Sequence, residues 1–188
     1  MREGIIHWLK DNVSAYRLEH ILGVEKFSAE LAEHHGVDPQ KAALAGLMND
    51  LAKFFPPPRL LAIAEEDGIE LDDIFRINPH LLHADVSAIV AKKQFGMVDE
   101  AILDAIRHHT LGCPGMSKLS CIVFVADALE PNRGESRELE KMRRISRQNL
   151  YKSVQQTCNY SLKYLLDKHA TIHPRAILTR NWALQLIK

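Results

Sequence analysis

Cysteine is scarce in this chain. There are three, Cys113, Cys121 and Cys158, and no CxxC pair among them. Any full disulfide scheme leaves one thiol over, which excludes a disulfide scaffold and points to a reducing, cytoplasmic compartment. Long apolar runs are missing too. The most apolar stretch, Cys121 to Ala126, is six residues long and is followed at once by Asp127, far short of the roughly 18 residues of a membrane span. At the start, MREGIIHWLKDN, charge returns at Lys10 and Asp11 before any apolar run builds up, so no signal peptide is expected. Charge of one sign is absent: 24 Lys+Arg balance 24 Asp+Glu. A general nucleic-acid binder needs surplus basic residues to meet phosphates, so that class is disfavoured, as is a membrane-bound one. With hydrophobic residues at 46% and no net charge, disorder is excluded as well. What the chain does have is histidine, ten in all.

The few glycines and prolines fall as punctuation between helical patterns. Apolar positions at Leu18, Ile21, Leu22, Val24, Phe27, Leu31 and Ala32 repeat at helical spacing over 14–35, and Gly36 stops them. Asp38 followed by Pro39 reads as an N-cap with proline at the first helical position, opening a helix to about Phe54 that Pro56, Pro57 and Pro58 end. Further helices are expected over 59–66, from Pro79 or His80 to Phe95, from Asp99 to about His109, from Lys118 to Leu129 and over 148–168. Residues 69–78 read as loop or short helix, the charge-rich 135–147 as a solvated helix or loop, and the tail as one more short helix. No strand hairpin or repeat is visible. The expectation is one all-α domain over 1–188 with about seven to nine helices, in which 148–188 forms a C-terminal helical extension packed on the rest.

The informative residues are polar ones placed inside apolar helical segments: His20, Asp50, His83, His109 and Asp127. A buried carboxylate without a partner is costly, so each Asp needs a donor, a cation or a metal. Singly, each has a plain alternative. His20 reads as a hydrogen-bonded helical histidine, Asp50 as a partner of Lys53, His83 as a cap, and Asp127 as an ion pair with Arg133 or Arg107. Jointly, imidazole nitrogens and carboxylate oxygens are the donor set of a hard or borderline divalent metal, and one site explains all five.

The order His20, Asn49-Asp50, Asp127 resembles the HD-domain metal-dependent phosphohydrolases, whose pattern is His, His-Asp, Asp. The blocks YRLEHILGV, KAALAGLMNDLAK, NPHLLHADVSA, AIRHHTLGCPGMS and IVFVADALEPNRG are similar to one branch, the YqeK family of symmetrical bis(5'-nucleosyl)-tetraphosphatases. The resemblance implies an HD-type helical bundle, a homodimer, and two metal ions, iron foremost with manganese, cobalt or magnesium as substitutes. It implies hydrolysis of diadenosine tetraphosphate to two ADP. His20, Asn49, Asp50 and Asp127 would hold one metal, and His83, His109 and a bridging Asp50 the other. Asp50, Lys53 and Arg133 would be catalytic, while Arg17, Lys53, Thr110 and Arg133 would meet phosphates. The chain departs from the pattern at Asn49. A neutral amide is a weaker ligand than imidazole, so the metal on that side is expected to bind more loosely. Two other readings stay open: a catalytically weak nucleotide-binding or regulatory protein, and an HD enzyme acting on a different nucleotide.

Overall fold

A computed structural model describes residues 1–187. Among these residues there are eleven α-helices, two short 3-10 turns and no strand. The all-α expectation holds, but the helix count exceeds the seven to nine anticipated. The additions are short or mostly exposed segments that bury few residues. α1 (Arg2–Asn12) buries only Ile5 and Leu9. α5 (Asp73–Ile77) buries only Phe75. The charge-rich stretch forms α9 (Arg137–Ser146), whose inner side carries Leu139, Met142, Arg143 and Ser146.

The punctuation works as the sequence suggests. The Ser14 hydroxyl accepts from Arg17 N–H to open α2 (Ala15–His35), and Gly36 at φ +65° closes it in the left-handed conformation. Asp38 accepts from the N–H groups of Gln40 and Lys41 ahead of α3 (Pro39–Met48). α4 (Pro57–Glu66) follows the prolines. A 3-10 turn over Pro79–Leu82 leads straight into α6 (His83–Phe95). α7 (Glu100–His108) is capped by Asp99, and α8 (Lys118–Leu129) by Ser117. Asn149 caps α10 (Leu150–Asp167), and His173 caps α11 (Pro174–Gln185).

One boundary differs in a way that matters. α3 stops at Met48, about six residues before the expected Phe54, and 49–54 continue as turns. The Ala52 N–H donates to the Ser87 hydroxyl on α6 at 2.9 Å instead of continuing the helical ladder. That diversion leaves Asn49 and Asp50 at the inner end of α3, in the middle of the molecule.

The apolar α8 is the central element, with nine of its twelve residues buried. α2 and α7 pack against it, α3 lies against α2, α7 and α8, and α6 lies on α7. α10 packs along α8 and α9 and carries α11, whose Thr179 hydroxyl meets the Leu111 carbonyl at 3.0 Å. Gly112, at φ +66°, faces Thr179 so closely that a side chain there would collide with it. Within the described residues, no helix is long and apolar enough to cross a membrane.

Candidate metal centre

The end of α3, the starts of α6 and α2, the end of α7 and the last turn of α8 converge on one point. His20, Asn49, Asp50, His83 and His109 are at most 3% exposed, and Asp127 is half-buried beside them. Asp50 sits between two clusters. Its Oδ1 lies 3.4 Å from His83 Nε2 and 3.5 Å from His109 Nε2. Its Oδ2 lies 3.9 Å from His20 Nε2, and His20 Nε2 is 3.0 Å from Asp127 Oδ1. The two triads, Asp50–His83–His109 and His20–Asp50–Asp127, each bring their ligand atoms within 4.8 Å of one another.

The first triad fits a cation on its own chemistry. His83 Nδ1 is 2.6 Å from the His80 carbonyl and His109 Nδ1 is 2.7 Å from the Ile106 carbonyl. A carbonyl only accepts, so both Nδ1 atoms carry the proton and both Nε2 atoms present lone pairs. Those lone pairs face each other at 3.2 Å, beside the Asp50 oxygen. Three electron-rich atoms in one buried place are unfavourable without a positive charge between them. Burial, followed by the neighbouring Lys53, pushes the His83 imidazole down to about 3, which keeps it a neutral donor.

The second triad is held from behind by Glu130, a residue the sequence reading passed over. Its buried carboxylate accepts from His20 Nδ1 at 2.9 Å and from Asn132 N–H at 2.7 Å. Gly23 makes room for it, since a side chain there would run into the Glu130 carboxylate. Glu130 lies three residues after Asp127, hence on the same side of the chain as α8 ends, and that spacing was the available signal. Burial opposes a charge on His20, but its bonds to Asp127 and Glu130 raise its pKa above the ordinary value. The carboxyls go the other way. Burial would raise Asp50, yet the adjoining His109, the Lys53 ammonium and the nearby His83 ring together hold it well below the usual range. Asp127 is likewise lowered against burial, by His20 first and then by His109 and Arg133.

All the expected basic and hydroxyl groups reach this place. Arg17 donates to Asp50 Oδ2 at 3.0 Å. Lys53 Nζ lies 3.0 Å from His83 Nε2. The Thr110 hydroxyl is 3.0 Å from both His83 Nε2 and His109 Nε2. Arg133 holds the Asp127 carbonyl through Nε at 2.9 Å and its carboxylate through a terminal nitrogen at 3.3 Å. Asn49 donates to the same Asp127 oxygen at 3.3 Å. His108 turns away, its Nδ1 3.4 Å from the Ser120 hydroxyl. Arg17, Lys53, Thr110 and Arg133 line a cavity of about 300 Å³ that opens from Asp50 and Asp127. Its far wall is α10, including Tyr160, Tyr164 and Leu165, none of which the sequence marked. A second overlooked residue supports the rim. Arg143 on α9 is buried, and its guanidinium donates to the carbonyls of Leu129, Glu130, Pro131 and Gly134 at 2.7, 3.1, 3.3 and 2.8 Å, pinning the turn that presents Glu130 and Arg133.

An all-helical bundle that gathers His, Asp and basic side chains from five segments around one aspartate defines the HD-domain class of metal-dependent phosphohydrolases. The HD domain family matches residues 17–132. The chain belongs to this superfamily and, within it, to the YqeK-like symmetrical bis(5'-nucleosyl)-tetraphosphatase family. It is 34% identical over 181 residues to the symmetrical bis(5'-nucleosyl)-tetraphosphatase of Bacillus subtilis, covering 96% of each chain. A protein of the same description from Halalkalibacterium halodurans is 34% identical over 183 residues, 97% of each. The crystal structure of a predicted HD superfamily hydrolase involved in NAD metabolism, from Clostridium acetobutylicum, superimposes with a TM-score of 0.94 at 33% identity, covering 99% of this chain and 98% of that one.

Proposed function

We propose that this protein hydrolyses dinucleoside polyphosphates, cutting diadenosine tetraphosphate symmetrically into two ADP, with iron as the preferred metal and manganese, cobalt or magnesium as substitutes. In this reading residues 1–188 act as one HD-type unit, with 148–188 packed on it, and two copies form a cytoplasmic homodimer. The observation that carries the reading is Asp50, shared by two ligand triads and ringed by Arg17, Lys53, Thr110 and Arg133 at the floor of one cavity. Carboxylates and imidazoles suit a divalent ion, and the basic ring suits a chain of phosphates. The names of the relatives from B. subtilis and H. halodurans support the substrate class.

When bound, divalent ions polarise phosphoryl oxygens and make water a nucleophile at neutral pH. His83 and His109 contribute neutral Nε2 donors on one side of Asp50, and His20, Asp127 and Asn49 face the other. Arg133 and Arg17 draw the phosphate chain toward Asp50, and the Arg fork matches two phosphoryl oxygens. Lys53 and Thr110 meet the charge that grows on the attacked phosphoryl group as the P–O–P bridge breaks. Water adds to phosphorus, the bridging oxygen leaves with the departing ADP, and the displaced proton ends on solvent. The α10 wall, with Tyr160 and Tyr164, offers a face for a nucleoside.

The test is hydrolysis of diadenosine tetraphosphate by the metal-loaded chain, with products separated. ADP alone is expected. ATP with AMP would reject the symmetrical cut. Turnover at background level, with tight nucleotide binding, would replace the enzyme with a regulatory binder. Turnover confined to other nucleotides would change the substrate.

A further inference from the structure

We propose that the two halves of this centre fill differently: the Asp50–His83–His109 place holds a resident divalent ion, whereas the His20–Asp50–Asp127 place takes its ion only together with a polyphosphate. The proposal rests on the metal-centre reading above and not on the identity of the substrate.

The asymmetry starts at Asn49. The residue is fully buried at the end of α3, so packing sets where its side chain points. Its Nδ2 donates to Asp127 Oδ1 at 3.3 Å, while its Oδ1 is buried with no partner. Turning the amide over would set its oxygen against a carboxylate oxygen and forfeit the bond. Asn49 is therefore committed as a donor that holds Asp127, a positioning residue rather than a ligand. Asp127 Oδ1 is crowded: His20 lies at 3.0 Å and Arg133 at 3.3 Å in addition to Asn49. The neighbouring Asp50 Oδ2 is covered by Arg17 at 3.0 Å. Both carboxylates of this half thus carry guanidinium groups where an ion would sit.

The other half is built differently. Its imidazoles already have their Nδ1 protons tied to backbone carbonyls, so their Nε2 lone pairs stand ready. The cation there is Lys53, an ammonium on a flexible stem, 3.0 Å from His83 Nε2. A polyphosphate resolves the crowding on the first side. Its oxygens take the forks of Arg17 and Arg133 in place of Asp50 and Asp127. One phosphate oxygen also supplies the ligand that an amide at position 49 withholds, as phosphates do for hard divalent ions held by few carboxylates.

Manganese titration followed by electron paramagnetic resonance tests this without turnover. The wild-type chain is expected to retain one equivalent of manganese. Adding methylenediphosphonate, which is not hydrolysed, should bring a second equivalent and the signal of an exchange-coupled pair, which a manganese–phosphonate chelate in solution does not give. Asn49→His should bind the second equivalent without phosphonate, at least about tenfold more tightly than the wild type does. His20→Ala should keep the first equivalent and lose the phosphonate-dependent one, which covers the case in which Asn49→His fails to fold. Two equivalents and a coupled signal in the wild type without phosphonate would overturn the proposal. So would a second site indifferent to Asn49→His, or loss of the first equivalent in a folded His20→Ala. No manganese retained under any condition would remove the metal-centre reading with it, whereas failure to hydrolyse diadenosine tetraphosphate bears on neither.

Discussion

Replacing Glu130 by glutamine changes one oxygen to nitrogen in a buried group, and the structure dictates a large effect. The carboxylate accepts twice, from His20 Nδ1 at 2.9 Å and from Asn132 N–H at 2.7 Å. Glutamine has a single oxygen for the two donors. If that oxygen serves Asn132, the amide NH₂ donates to His20 Nδ1 and forces the ring proton onto Nε2, the atom that must offer a lone pair. If it serves His20, the NH₂ abuts the Asn132 N–H and both donors lose a partner. A hydrogen bond to a charged acceptor is worth about 1.5–3 kcal/mol, so affinity for the ion beside His20 should fall about tenfold to a hundredfold, the range seen for such outer partners. The pH dependence adds a second signature. The bonds to Asp127 and Glu130 raise the His20 pKa against burial, and an arriving ion must displace that proton. Ion affinity in the wild type therefore falls as pH drops below the raised pKa. Glu130→Gln should lower the high-pH plateau and also move the acid limb to lower pH. The assay is manganese competition against a chelating dye in methylenediphosphonate, from pH 5 to about 8.5. A plateau within twofold of the wild type, on a folded variant, would refute the account of Glu130 as the orienting partner.

Further consequences follow from the same geometry. His83, held at about 3 in the fold, is protonated in the unfolded chain below about 6.5. A depressed folded value favours the unfolded state as pH falls, so the metal-free chain should lose stability between about pH 6.5 and 3, by a few kcal/mol. Urea unfolding in chelator should show this slope, and His83→Gln should flatten it. Arg143→Leu strips four carbonyls, those of Leu129, Glu130, Pro131 and Gly134, of their buried cationic donor and should cost about 3 kcal/mol, lowering Tm by roughly 6–12 °C in a chain of this size. An unchanged melting curve would show that water replaces those bonds without loss. Lys53→Met should lower kcat about 10²–10³-fold with metal content retained. A change confined to KM would make Lys53 a binding group only.

How much of this was legible beforehand follows from the physics of each residue. Local signals carried the helices: Gly36 as a left-handed stop, Asp38-Pro39 as a start and the period of α2 depend on interactions within a few residues. The two carboxylates and three imidazoles inside apolar segments were legible because burying them is costly unless they converge. Asn49 was legible as a departure, though not in its geometry. The end of α3 was not legible, because the Ala52 N–H is taken by Ser87, thirty-five residues away. Glu130 looked like any acidic residue at a helix end. Arg143 lay in a run of charges that reads as solvated surface, yet folding turned it inward onto the carbonyls of another segment. The wall of α10 beside the cavity had no sequence mark at all. The chain by itself determined that it would be helical and that it carried a metal-binding donor set, because periodicity and the cost of buried charge are written into residue order. Only the tertiary structure decided which groups stand behind those donors and which lone pairs face the centre, because such contacts join segments far apart in the chain.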